Sequence, residues 1–391
     1  MVSVPLAGSL PRHRADLIGL AALTGVTATM VFSIAAAQIL LALAVVCWLA
    51  RHLARGGPIE APTFFWPLVV YAALTLLSAG FSLDPAVSVP DCKQLVLFLL
   101  VPVVYDFARG ARAERLLGVI ITVGAASAFV GIVQYGILNY DNLGRRMQGT
   151  LSHWMTYSGT LMLIICASVA RLLFGSRDRL WAAFVLPALL ASLALTLTRG
   201  AWIGAVAGAG VLLLIKDVRL TALVPLVAAI GLVIAPEALS TRINSIGDMT
   251  DPTTRDRVAM IEAGVAMIGD HPWTGVGPDM VGAVYPDYRT ASAVQATNPH
   301  LHNVPMQIAA ERGLPALVAW IWFVVVTLAG LWRLRRHPEA RPLATAALGA
   351  VIAMLAAGLS EYNFGDSEFL MLLLVLITLP FAAARRDGDG Q

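Results

Sequence analysis

Repeated apolar stretches, each long enough to cross a lipid bilayer, constrain this chain more than any other feature. Of its 391 residues, 58% are hydrophobic and only 13% are charged, against about 25% charged residues in ordinary soluble domains. A span needs roughly 17 to 25 predominantly apolar residues, and its backbone groups must be paired internally because lipid offers them no partner. We therefore predict an all-α integral membrane protein and exclude a soluble globular fold.

Twelve such stretches can be counted, and the first is interpreted as a retained span, not as a cleaved signal peptide. A segment too long for a plain connector separates the ninth stretch from the tenth. We therefore predict helices 1 to 9 in residues 1–235, a long outer loop in 236–313, and helices 10 to 12 with a tail in 314–391. The predicted spans are 15–31, 33–52, 62–80, 90–108, 113–138, 155–174, 179–198, 200–215, 219–235, 314–335, 342–360 and 367–384.

The arginines orient these spans, since cytoplasmic loops carry an excess of Lys and Arg near span ends. With the N-terminus in the cytoplasm, 18 of the 27 basic residues fall on inside segments, and an even number of spans returns the C-terminus to the same side. The remaining nine face outward against this preference, and as a group they favour an anion site. They are Lys93, Arg145, Arg146, Arg199, Arg242, Arg255, Arg257, Arg289 and Arg312.

The outer loop is acidic overall, with nine carboxylates against five arginines. It is not a basic patch, so nothing in it supports binding of nucleic acid. Any anion must instead be held by a few arginines placed locally. The three cysteines, Cys47, Cys92 and Cys166, form no CxxC motif and no metal-ligand spacing, so they predict neither a metal site nor a disulfide framework.

Residues 255–270 of the outer loop are predicted to form an amphipathic helix at the membrane interface or the mouth of the bundle. Arg255 and Arg257 lie in its first turn, where cations are disfavoured, so a bound anion would relieve an unfavourable placement. The alternative is a plain packing helix. In either case the apolar residues of 255–270 share one face at helical spacing. They are Val258, Ile261, Val265 and Ile268.

Two further elements follow that helix. The stretch His271-Pro272-Trp273-Thr274-Gly275-Val276-Gly277-Pro278 is better interpreted as a tight turn than as a phosphate loop. Just before the tenth span comes His300-Leu301-His302-Asn303. His302 is either a structural histidine or a base that works near neutral pH. Metal binding by the two histidines is disfavoured, because no acidic or Cys partner lies at ligand spacing.

Three elements, taken in order, resemble motifs of the O-antigen ligase and polymerase superfamily. Thr196-Leu197-Thr198-Arg199-Gly200-Ala201-Trp202 resembles its S/T-R-G-A-W element. Arg257, followed by the helix and the turn from His271 to Gly277, resembles its second element. His302-Asn303 with Gly313 after nine residues resembles the ligase signature H-[N/S/Q]-x9-G. The resemblance covers about residues 196–316 and departs from the pattern at Ala316, where Gly, Thr or Tyr is expected.

The resemblance implies an integral-membrane glycosyltransferase of the GT-C type that uses no nucleotide sugar, no metal and no other cofactor. Such ligases transfer a glycan from undecaprenyl diphosphate to a sugar hydroxyl of lipid A–core, with inversion, at the periplasmic side of the bacterial inner membrane. His302 would be the general base, and Arg199 and Arg257 would hold the diphosphate leaving group. Membrane lipids are further expected partners.

Six more residues are candidates by position. Three outer arginines would add cationic contacts to the diphosphate, and three polar residues near the tenth and twelfth spans would orient His302 or contact acceptor sugars. A structural or lipid-headgroup role for the arginines and plain solvation of the acids are the alternatives. The arginines are Arg145, Arg146 and Arg255, and the polar residues are Asn303, Glu361 and Asp366.

Other functions remain open. An O-antigen polymerase performs the same chemistry on a growing glycan, and related ligases glycosylate protein. From a different class, a secondary transporter would show charged or broken spans at the middle of the bilayer and an internal repeat. The sequence shows neither, because its ionisable residues gather at span ends and in outer loops.

Overall fold

The computed structural model describes residues 9–56, 58–138, 146–175, 178–226, 229 and 252–385. Within these residues every regular element is helical and no strand occurs, which confirms the all-α prediction. The α-helices are α1 (Ser9–Thr29), α2 (Ile34–Arg55), α3 (Phe65–Gly80), α4 (Pro85–Asp91), α5 (Leu100–Phe107), α6 (Ala111–Gly136), α7 (Trp154–Phe174), α8 (Arg179–Leu195), α9 (Arg199–Lys216), α10 (Pro252–Asp270), α11 (Val281–Tyr288), α12 (Val304–Leu334), α13 (Arg341–Ala357) and α14 (Ser367–Ala383). Three 3-10 helices accompany them at Cys92–Leu99, Val218–Ala222 and Asn363–Gly365.

Apolar helices occur at eleven of the twelve predicted spans. In the described part of the chain, six helices are long and apolar enough to cross a membrane, and five are shorter. Pro85–Phe107, which joins α4, a 3-10 turn and α5, counts as one of the six. Of the predicted ninth span, 219–235, the structure describes only residues 219–226 and 229, so the count of twelve stays a prediction.

The bundle is organised around α7, α13 and α14, which are buried along most of their length. The sequence of α14 is apolar on every side, as expected of a helix enclosed by its neighbours. Outer helices instead expose large apolar side chains, such as Ile39, Phe129 and Phe184. A hydrocarbon solvent accepts these side chains without cost, so their exposure fits a bilayer environment.

Glycines allow α9 to pack closely in the bundle. A Cβ atom on Gly204 would lie 2.2 Å from the sulfur of Met162 and 2.7 Å from the carbonyl oxygen of Ala353. Gly208 is equally close to the backbone of α13, whereas a Cβ on Gly210 would meet nothing within 4 Å. Close packing therefore involves Gly204 and Gly208 but not Gly210. Small residues on one face of a helix permit such close approach.

The segments predicted to be cytoplasmic meet at one end of the bundle. Asp106 accepts hydrogen bonds there from Trp48 (2.8 Å), Arg109 (2.9 Å) and Arg385 (3.1 Å). These residues come from the ends of α2 and α5, the turn after α5 and the C-terminal side of α14. Because a bundle places alternate helix ends together, this network supports the assignment of those segments to one side.

A kink at Gly313 divides α12 and changes the predicted start of the tenth span. The helix begins at Val304, ten residues earlier than the predicted 314, and is interrupted where Gly313 adopts φ 80°. A kink removes helical hydrogen bonds. The freed carbonyls of Ala310 and Glu311 instead accept the amides of Val276 and Gly277, both at 2.9 Å.

Residues 271–278 form a turn, as predicted. This turn also supports the kink. Leu314 donates its amide to Pro272 at 2.8 Å. A Cβ atom on Gly275 would lie 2.2 Å from the backbone of Glu311, and Gly275 has φ 68°. Only glycine combines that left-handed conformation with so close a backbone approach.

The helix predicted at 255–270 is present as α10, but a different face packs on the bundle. The packed residues are Ala259, Met260, Ala263, Gly264 and Met267. The predicted Val/Ile face is largely exposed instead. Small side chains allow close approach to α12, while the larger apolar residues need no protein cover at a lipid surface.

Gly204→Ala should destabilise the bundle, because the added methyl has no room beside Met162 and Ala353. Overpacking of this kind costs about 1–3 kcal/mol. Gly210→Ala is the matched control in the same helix, and its unfolding temperature in detergent should equal or slightly exceed that of the parent protein. Equal unfolding temperatures for both variants would contradict this packing.

Candidate functional site

His302, Glu361 and Arg257 meet at the end of the bundle opposite the Asp106 network. The Nδ1 atom of His302 lies 3.7 Å from Oε2 of Glu361, and Nη2 of Arg257 donates to Oε1 of Glu361 at 3.0 Å. Glu361 is only 2% exposed. A buried carboxylate needs compensating partners. Here the guanidinium of Arg257 donates to one oxygen, and the imidazole of His302 lies near the other oxygen without a hydrogen bond to it.

The backbone before α12 places His302 beside Glu361. Asn303 caps the helix by accepting the amide of Met306 at 2.9 Å, and its Nδ2 donates to the carbonyl of Leu359 at 3.1 Å. The amide of Val304 donates to Gly358 at 2.7 Å. His302 itself has φ 48°, a strained conformation for a side chain other than glycine. The segment before α12 is therefore hydrogen-bonded to the turn that carries the carboxylate.

Gly200 explains why the T-R-G element lies next to Glu361. A Cβ atom at Gly200 would lie 2.6 Å from Cγ of Glu361. Only a glycine at this position lets the glutamate pack against the start of α9. Arg199 and Glu361 are distant in sequence, yet this contact brings the T-R-G element and the acid to one site.

The turn between α8 and α9 holds Arg199 at the first position of α9. Leu197 has φ 53°, and Trp202 donates its indole N–H to the carbonyl of Leu193 at 3.0 Å. Arg199 is 8% exposed and lies at a helix N-terminus, where a cation is disfavoured. An anion bound there would offset both the burial and the position of this charge.

These residues line one cleft of about 390 Å³. Three arginines, Arg146, Arg199 and Arg257, lie on its wall together with His302 and Glu361. The cleft is therefore rich in cations although the predicted outer loop is acidic overall. Such an arrangement suits a compact anion next to a base.

Asp256, a lining residue that the sequence interpretation did not single out, fixes another wall of the cleft. It is buried, and its Oδ1 accepts the amides of Val294 (2.7 Å) and Gln295 (3.0 Å). These bonds fold the chain after α11 onto the first turn of α10. In the sequence, Asp256 stands out only because it lies between Arg255 and Arg257. Neighbouring charges do not reveal that a carboxylate accepts backbone amides.

The other predicted site residues lie around the cleft in different settings. Arg255 is exposed on α10 and does not line the cleft. Asn303 is a helix cap. Asp366 is turned toward Thr156, which donates to it at 3.0 Å, and it does not line the cleft either. Arg145 lies outside the described residues.

Arg312, one of the nine outward-facing cations, belongs to a buried network behind His302. It is ion-paired with Glu311 and lies 3.5 Å from Asp91. Gln307 links this network to the site, because its amide donates to Glu311 at 2.8 Å and its oxygen accepts the amide of Leu301 at 2.7 Å. Sequence spacing did not reveal this set, since its members come from three separate segments.

Two other histidines near the site have lowered basicity. Burial lowers the pKa of His153 and of His300. His153 accepts the amide of Met155 through Nδ1 at 3.2 Å, which requires that nitrogen to be unprotonated. Among the described residues no three His, Cys, Asp or Glu side chains cluster as metal ligands.

Asp366 should make the stability of the protein depend on pH. Burial raises the pKa of Asp366 to about 7, above its ordinary value of 3.8. The folded state then keeps a proton that the unfolded state releases, so stability should fall as pH rises from about 4 to 7. Asp366→Asn should flatten this part of the profile of unfolding temperature against pH in detergent. Asp287→Asn, at an exposed carboxylate, should not, and equal profiles for all three proteins would contradict the burial cost.

A sequence model of the O-antigen ligase family matches residues 182–321. The matched region runs from α8 into α12 and contains Arg199, Arg257, His302 and Gly313. No curated protein matches the chain. The resemblance found in the motifs is thereby confirmed for this multi-pass membrane protein, whose residues 182–321 are similar to the O-antigen ligase family.

Proposed function

We propose that the protein is an O-antigen ligase, which transfers a glycan from undecaprenyl diphosphate to a sugar hydroxyl of lipid A–core. The observation that carries this proposal is a histidine backed by a buried carboxylate in a cleft lined by three arginines. A base and a fixed set of cations are what transfer from a diphosphate-linked sugar requires. The O-antigen ligase family match supports the same class of chemistry.

In this proposal the base is His302. A carboxylate on Nδ1 holds the ring with its proton on that side, so that Nε2 is free to accept a proton. The distance of 3.7 Å to Glu361 is longer than a hydrogen bond, so in this proposal the imidazole and the carboxylate approach each other when the proton is transferred. Nε2 takes the proton of the acceptor hydroxyl as its oxygen attacks the anomeric carbon, and Glu361 stabilises the imidazolium that forms.

The arginines act on the leaving group. As the bond from the anomeric carbon to the phosphate oxygen breaks, negative charge grows on the diphosphate. Arg199 and Arg257, with Arg146, meet that charge through fixed N–H donors. The hydroxyl attacks on the face opposite the diphosphate, so the configuration inverts. Since the cations are arginines, no metal ion is needed in this scheme.

We further propose a twelve-span topology of the GT-C type in the bacterial inner membrane, with the cleft facing the periplasm. The periplasmic loop would comprise 236–313, between helices 1 to 9 in 1–235 and helices 10 to 12 in 314–391. The distribution of arginines supports this orientation. So does the convergence of the site residues at the end opposite the Asp106 network.

An O-antigen polymerase and a protein-glycosylating ligase remain alternatives within the same superfamily. Deleting the gene distinguishes an O-antigen ligase from an O-antigen polymerase. Loss of a ligase leaves core-only lipopolysaccharide with polymer retained on its lipid carrier, and loss of a polymerase leaves single-repeat caps. A secondary transporter would keep its substrate flux after substitution of His302.

The purified protein should transfer glycan from undecaprenyl diphosphate to lipid A–core in the presence of EDTA. His302→Ala should lower the rate by about 10²–10⁴-fold, because general base catalysis has that magnitude. His271→Ala is the matched control, since His271 lies in the same outer segment but does not line the cleft. A wild-type rate in His302→Ala would refute the mechanism, and loss of transfer in EDTA would refute metal independence.

Glu361→Gln should also lower the transfer rate strongly while leaving the protein folded. The amide keeps the shape of the side chain but loses the charge that stabilises the imidazolium and pairs with Arg257. Loss of the orienting carboxylate in a comparable His–carboxylate pair costs about 10⁴-fold. Glu368→Gln, in the first turn of α14 and not among the residues that line the cleft, should retain activity. Equal rates in both variants would show that Glu361 is not part of the catalytic site.

A further inference from the structure

We infer that Trp154 is a positioning residue that holds Arg146 in the cleft as the third cation for the diphosphate. The guanidinium carbon of Arg146 lies 5.2 Å from the centroid of the Trp154 ring, and both residues line the cleft. This inference rests on the proposed function. It assigns a role to a residue outside the matched family region, which begins at 182.

The backbone brings Arg146 to the cleft independently of its side chain. The amide of the next residue, Met147, donates to the carbonyl of Leu195 at 3.2 Å, at the end of α8. The side chain of Met147 is buried, and its sulfur contacts the hydroxyl of Ser192 at 3.4 Å. The backbone of Arg146 is therefore held beside the turn that carries Arg199.

Beyond the backbone, the long side chain of Arg146 needs a support. An arginine has several rotatable bonds and loses their entropy when it is held in one direction. The face of an indole attracts a guanidinium, and Trp154 supplies that face from the first position of α7. An anion between Arg146 and Arg199 then meets a side chain that is already directed at it.

Trp154 is itself held firmly. His153 stacks on its ring with centroids 4.1 Å apart, and the same histidine caps α7 through its Nδ1. Burial, helped by the nearby Arg146 guanidinium, lowers the pKa of His153. The imidazole is therefore uncharged while its Nδ1 accepts the amide of Met155, so among His153, Trp154 and Arg146 the positive charge lies on Arg146, which lines the cleft.

If Trp154 acts through Arg146, its effect should appear on donor binding. Trp154→Ala should raise the donor concentration for half-maximal transfer by about tenfold. This is the effect expected when the cation–π contact that holds Arg146 is lost. The rate at saturating donor should change much less, because His302 and Glu361 are untouched. Trp154→Phe should restore most of the effect, since a phenyl ring also presents an aromatic face.

The experiment is a double-mutant cycle on transfer from undecaprenyl-diphosphate glycan to lipid A–core, with Trp154→Ala, Arg146→Ala and the double variant. We expect the double variant to be no worse than Arg146→Ala alone. Trp332→Ala is the matched control, because Arg335 lies 3.5 Å over that ring at the other end of the bundle. It should leave the donor dependence unchanged.

Three outcomes would overturn the inference: additive effects of the two single substitutions, failure of Trp154→Phe to recover donor binding, or an unchanged donor dependence in Trp154→Ala. Unfolding temperatures of all variants identify any loss that comes from misfolding. The wild-type protein separates this inference from the proposed function. No transfer by the wild type refutes the function itself, whereas normal transfer with an inert Trp154 refutes only the positioning role.

Discussion

The architecture of the site depends on one buried carboxylate, Glu361. A charge that is 2% exposed is costly unless it is paired, and Glu361 meets Arg257 on one oxygen and His302 near the other. Gly200 makes room for it at the start of α9. The three motifs of the matched region are distant in sequence, and all three meet at this residue, which lies beyond that region.

The kink at Gly313 is the second feature on which the site depends, because it frees the carbonyls of Ala310 and Glu311 to pair with another segment. The turn at 271–278 supplies the missing amides. This pairing links Gly275 and Gly277 of that turn to Gly313, the glycine of the motif that begins at His302. It also attaches the chain after α10 to α12, so the helix that carries Arg257 and the residues before α12 that carry His302 are held in one frame.

The sequence predicted the helices well, because a bilayer imposes a length and a composition that can be counted residue by residue. It did not predict which face of α10 packs on the bundle, because apolar periodicity marks a face that avoids water and does not tell whether protein or lipid covers it; Val258 and Val265 are exposed. The placement of Glu361 beside His302 was only one of three interpretations of that acid. Asp256 was missed, because its partners are backbone amides, which spacing patterns do not reveal.

Arg257 and His302 share one carboxylate, and this has a consequence for how the two halves of the site work together. An anion that attracts Arg257 weakens its hold on Glu361, and the negative charge of the glutamate then acts more fully on the imidazole. In the proposed reaction, the charge that develops on the leaving group and the transfer of the acceptor proton to His302 are thereby linked through a single side chain. Glu361 is buried, and charges interact more strongly through a buried group than in solution, so placing the guanidinium and the imidazole on the same acid strengthens the coupling between them.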